Sequence, residues 1–158
     1  MWKAGIQQQA VPSPDHATRY LRDIKEGKGF PSLWLASSPE DLEKIALGML
    51  LRKGHLDSVN LIGFNELCFS NVGIKVNQVE DTNFPVPTVG NLHYELCTSN
   101  DAELIAAIEL FLKGNGCFQE FLKSQPNKNN MRKIAARYIN EVSEQYQAKA
   151  EEWAKQYL

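Results

Sequence analysis

From residue 127 to residue 158 the apolar positions Met131, Ile134, Tyr138, Val142, Tyr146, Ala150, Trp153 and Tyr157 recur every three or four residues. Lys133, Arg137, Glu141, Glu144, Glu151 and Lys155 fall between them on the opposite face. This pattern predicts one amphipathic helix of about 30 residues, about 45 Å long at 1.5 Å rise per residue. A chain of 158 residues folds into a body with a radius of gyration of about 15 Å, so such a rod spans or projects from it. The mean spacing of about 3.7 residues matches a straight helix and departs from the 3.5 of a left-handed coiled coil. The expectation is a rod whose proximal half packs at home and whose distal aromatics, Tyr146, Trp153 and Tyr157, remain available.

Upstream the rhythm changes several times. Residues 1–12 have no period and read as an N-terminal arm, ordered only if it docks. Ser13-Pro14-Asp15 opens a three-turn helix carrying Ala17, Tyr20, Leu21 and Ile24, which runs out at Gly27-Lys28-Gly29. Residues 31–36 predict a short strand with both faces apolar, hence a central one. Ser38-Pro39-Glu40-Asp41 is a strong helix start, with a cap, a proline in the first turn and two acids. The helix should reach Lys53, bury Leu42, Ile45, Ala46, Met49 and Leu50, and end at a left-handed Gly54. Residues 56–64 then supply a second strand, parallel to the first by the right-handed crossover rule.

Residues 67–79 offer short alternating pieces that suit antiparallel additions, and the two prolines of residues 80–87 indicate a loop. Residues 90–98 resume as a strand with Leu92, Tyr94 and Leu96 on one face and His93, Glu95 and Cys97 on the other. Asn100-Asp101-Ala102-Glu103 caps a helix carrying Leu104, Ile105, Ile108, Phe111 and Leu112, and residues 118–122 add a short helical turn. The predicted fold class is α+β or α/β: a small mixed sheet of about four strands, helices packed on it, and a long C-terminal amphipathic helix. The organisation is an arm over 1–12, a globular body over 13–125 and the terminal helix over 126–158.

Charge narrows the list of partners. A net charge of -2 argues against a surface built for nucleic acid, although Lys123, Lys128, Arg132, Lys133 and Arg137 form a local basic block between Glu120 and Glu141. No stretch reaches the roughly 18 apolar residues of a membrane span, and no signal-peptide core follows Met1-Trp2-Lys3. Cys68, Cys97 and Cys117 are odd in number and widely spaced, which suits a reduced compartment, so the expected location is cytoplasmic.

Candidate chemistry is sparse. His93, Glu95 and Cys97 share one strand face, but no second segment completes a metal shell, so no metal or cofactor is expected. His55 beside Gly54 suits a helix end, and Ser37 and Ser38 sit at a strand-to-helix turn where amides can hold an anion. His16-x-Thr18, a helix, a glycine pair, the strand-serine-helix run from Leu33 to Ile45 and Glu95 on a later strand distantly resemble the element order of ADP-ribosyltransferase-type folds. In that family His, an aromatic or hydroxyl residue and Glu position the nicotinamide ribose. Here His16 follows prolines and Ala17 stands where the family has glycine.

Two functions follow as expectations. The first is a non-enzymatic cytoplasmic interaction or regulatory module that presents its C-terminal helix, through Val142, Tyr146, Trp153 and Tyr157, to a protein partner or a second copy of itself. The second is a small transferase or hydrolase with a site built from Ser37, His93 and Glu95, and His16 if the resemblance holds.

Overall fold

Helix α1 (Pro39–Lys53) forms where the local signals put it. In this computed structural model, which describes residues 32–59, 69, 73–97, 102–103 and 126–158, Asp41 N–H donates to Ser38 Oγ at 3.1 Å. Ser38 N–H donates back to Asp41 Oδ2 at 3.0 Å, so two amide donors at the helix start are satisfied reciprocally. The helix stops at Gly54, whose φ of +85° is left-handed and whose N–H reaches the carbonyls of Leu50 and Leu51. Burial is wider than the one-sided stripe expected: Ile45, Ala46, Leu47, Gly48, Leu50 and Leu51 are all buried, while Leu42 and Met49 are half-buried. Those positions go all the way round the helix, which makes α1 a core element.

The chain divides into two units. One comprises residues 34–61, 78–94 and 124–158 and contains α1; the other comprises residues 1–33, 62–77 and 95–123. In the second of these, Phe69, Ile74 and Leu96 are buried, and Ile74 N–H donates to the Phe69 carbonyl at 3.0 Å. Three strands occur among the described residues, β1 (Ser32–Trp34), β2 (Lys75–Gln78) and β3 (His93–Cys97), paired antiparallel in the order β1-β3-β2. The class is mixed α+β. Among the described residues β3 holds the middle of the sheet, β1 lies at its edge and residues 56–59 are irregular. The remainder of the 56–64 strand, the arm, the helix from Ser13, most of the helix from Asn100 and the 118–122 turn lie outside the described residues.

The single rod expected over residues 127–158 is instead two helices, and this is the main correction to the sequence reading. Helix α2 (Lys128–Arg137), capped by Asn127 Oδ1 on the Asn130 N–H at 2.9 Å, ends at Tyr138. A 3-10 turn follows over Ile139–Glu141, Val142 and Ser143 are extended, and helix α3 (Glu144–Ala154) begins anew. The break has a tertiary cause. Ser143 N–H, which would bond Ile139 in a continuous helix, donates to the Pro85 carbonyl at 2.9 Å. The Ile139 carbonyl released by the break accepts from Val142 N–H at 3.3 Å and Gln147 Nε2 at 3.1 Å. Glu141 is held by Lys44 at 2.8 Å and Thr88 Oγ1 at 2.9 Å, fixing the turn against α1 and the following loop.

With the chain reversed, α2 and α3 pack on each other and both reach α1. One continuous core joins Ile45, Leu47, Leu51, Phe84, Val86, Met131, Ile134, Tyr138, Val142, Ala150 and Trp153. The loop before β3 supplies its far wall: Arg52 grips Asp81 through two hydrogen bonds of 2.7 and 3.0 Å and the Asn83 carbonyl at 3.1 Å. Phe84, 1% exposed, is thereby pressed onto α1. Gly48 makes this approach possible, since a Cβ there would lie 2.3 Å from Phe84 Cε1.

Candidate functional site

The C-terminal end of α1 brings together residues that no local sequence pattern pairs. Gly54, His55 and Leu56 leave α1, α2 contributes Arg132, and α3 contributes Lys149, Glu152 and Trp153; together they line a cavity of about 420 Å³. Lys149 Nζ donates to the Gly54 carbonyl at 2.9 Å, placing an ammonium at the negative end of α1. An ammonium has three donors, so this bond leaves two for other acceptors. The exit from α1 is tied down by Val59 N–H on the Pro126 carbonyl at 3.0 Å, which holds residue 59 near the start of α2.

Arg132 is half-buried and makes no hydrogen bond or ion pair with another described residue. Elsewhere in this unit the arginines are engaged: Arg52 on Asp81, Arg137 on Glu43. Trp153, 7% exposed, lines this cavity. The surrounding field is positive. Asp57 is held below the usual carboxylate range first by the Ser58 N–H at 2.8 Å and then by the charges of Lys128, Lys53 and His55. Arg132 and Lys149 outweigh Glu152 at the cavity itself, so the arrangement suits an anion that also carries apolar surface.

The anticipated partner anchors are distributed differently from the expectation. Val142 and Trp153, each 7% exposed, are buried in the core of their own unit because the turn at residues 138–143 folds the stripe back onto α1. Tyr146 is half-buried against the same core. Tyr157, 39% exposed, stays at the surface, with its hydroxyl donating to Asn129 Oδ1 at 3.2 Å and Lys133 Nζ 5.8 Å from its ring centre.

The candidate catalytic residues have the following places. Ser37 is exposed, and its N–H donates to Asp41 Oδ2 at 2.9 Å, so its backbone serves the cap of α1. His93 is buried, its ring 4.9 Å from that of Trp34 and tilted to it by 49°, and donates from Nδ1 to the Val79 carbonyl at 2.8 Å. Trp34 lies in turn 4.3 Å from Phe84. Glu95 and Cys97 are half-buried in β3, in the other unit from Ser37 and His93. His16, Cys68 and Cys117 lie outside the described residues. Among the described residues no three His, Cys, Asp or Glu side chains are grouped to hold a metal ion. No described helix is long and apolar enough to cross a membrane.

Of the described residues of the basic block, Arg132 alone lines the cavity, while Arg137 and Tyr138 both bond Glu43 and Lys133 lies beside Tyr157. Sequence reasoning missed the site as a site. Ser143-Glu144, a capping residue followed by an acid, was the available signal for a new helix start. Comparison with protein-family models, curated proteins and solved structures finds no match to this chain.

Proposed function

We propose that this chain is a non-enzymatic interaction module whose binding site is the cleft at the end of α1, between α2 and α3. The half-buried, unpaired Arg132 beside the exposed edge of Trp153 is the observation that carries the reading. A guanidinium with no partner among the described residues keeps its fork of N–H donors available to an incoming acceptor. Arginine and tryptophan are also the residue types that most often dominate protein interfaces. The partner is another protein or a second copy of this chain, engaged by the cleft and not by a projecting rod. A cytoplasmic setting accords with the free thiol of Cys97.

Site-specific photocrosslinking in cells tests this. A benzophenone side chain at the exposed rim position Glu152 is expected to give one discrete adduct that disappears when Arg132→Ala is added. An adduct of twice the chain's mass identifies the partner as a second copy. No adduct, an adduct that survives Arg132→Ala, or an equal adduct from a benzophenone at the exposed Glu80 outside the cleft overturns the reading.

A further inference from the structure

We infer that the cleft recognises the single carboxylate at the end of a peptide chain whose last side chain is apolar, and discriminates against doubly charged anions. This rests on the interaction-module reading and specifies the chemistry of the partner. The planar fork of Arg132 matches a carboxylate through two parallel hydrogen bonds, and Lys149 keeps donors free beyond its bond to the Gly54 carbonyl. Among the described lining residues Arg132 and Lys149 face one carboxylate, Glu152, so with His55 counted neutral they hold one surplus positive charge. A monoanion balances it. Within the lining, the second charge of a phosphate dianion would meet Glu152, since Lys53 and Lys128 lie outside it.

The apolar half of the specificity comes from Leu56 and Trp153, which supply hydrocarbon and an indole edge next to the guanidinium. The cavity, about 420 Å³, is near the small end of ligand pockets and suits one or two side chains in place of a whole helix. The location at the end of α1 adds a constraint. The helix terminus itself is negative and repels anions, so the site works only while Lys149 covers the Gly54 carbonyl. Lys149 is thus a positioning and screening residue, and Arg132 is the residue that contacts the ligand.

The test uses the full chain and three probes: acetyl-Gly-Leu-Phe with a free carboxylate, the same tripeptide as its C-terminal amide, and phenyl phosphate. Calorimetric titration and the NMR shift of the Trp153 indole N–H are the readouts. The free acid is expected to bind at least about ten-fold more tightly than the amide and to move the indole signal. Arg132→Ala should weaken the acid by at least about ten-fold, and Arg132→Lys by an intermediate factor, since the charge remains but the fork is lost. Lys133→Ala, exposed and outside the cleft, should stay within about two-fold. Glu152→Gln should improve phenyl phosphate binding more than acid binding.

Equal affinity for acid and amide, an unaffected Arg132→Ala protein that retains its circular dichroism, or phenyl phosphate preferred by the parent chain overturns the inference. Acetyl-phenylalanine binding as tightly as the tripeptide overturns a peptide source and assigns a free acid. Crosslinking at residue 152 without carboxylate preference sinks this inference alone. Carboxylate preference without any crosslink sinks the interaction-module reading instead.

Discussion

Replacing Trp153 with alanine separates a helix that presents its aromatics to a partner from a hairpin that buries them. On a projecting rod the indole would be an interface anchor, and its loss would weaken association while leaving the fold intact. In the structure Trp153 is 7% exposed and packs in one core with Met131, Ile134 and Ala150. Removing a buried tryptophan costs about 3–5 kcal/mol, as transfer free energy plus the cavity left behind. Because one edge of the indole already borders the open cleft, water can fill part of the new space, which points to the lower end, about 3 kcal/mol. With a urea dependence of about 1.5 kcal/mol per molar, the midpoint falls by about 2 M. Far-UV circular dichroism is the appropriate assay, since the substitution removes a fluorophore. Tyr157→Ala, at a residue 39% exposed, should change stability by less than about 1 kcal/mol. A Trp153→Ala midpoint within about 0.3 M of the parent would refute the hairpin packing on which the cleft depends.

Three further outcomes follow from the same geometry. Gly48→Ala adds a methyl 2.3 Å from Phe84 Cε1, whose ring is held between Trp34 and Arg52; overpacking of about 1–3 kcal/mol exceeds the helix gain of about 1 kcal/mol, so urea denaturation should show net destabilisation. A Gly48→Ala protein more stable than its parent contradicts that contact. Asp81 is held below its ordinary value near 3.8 by the Arg52 hydrogen bonds, so its contribution is present above that pH and is lost as pH falls through the depressed folded value. The stability difference between parent and Asp81→Asn should therefore be largest at neutral pH and vanish well below pH 3.8; a difference independent of pH would remove the ion pair as its cause. Ser143 Oγ is buried without a hydrogen-bond partner, so Ser143→Ala should be neutral or slightly stabilising in thermal unfolding. A loss above about 1 kcal/mol would mean that the hydroxyl makes a bond after all.

Local chemistry determined α1 before any tertiary contact is considered. Its cap, its proline, its acidic first turn and its terminal glycine lie within the residues that form it, and the structure uses each of them. Asn127 as the cap of α2 and the proline-rich loop before β3 are legible in the same way. The antiparallel sheet order was not, because pairing partners far apart in sequence leave no local trace. The break at residues 138–143 was hidden for a related reason. An apolar stripe at helical spacing reads the same whether it continues straight or is cut and folded back, since both halves keep their phase relative to the core. The Pro85 carbonyl, contributed by another segment, captures the Ser143 amide just before α3 begins. The residues of the cleft were all visible in the sequence, but their convergence was not: Arg132 and Trp153 meet at Gly54 because the chain reverses, and that reversal depends on long-range contacts.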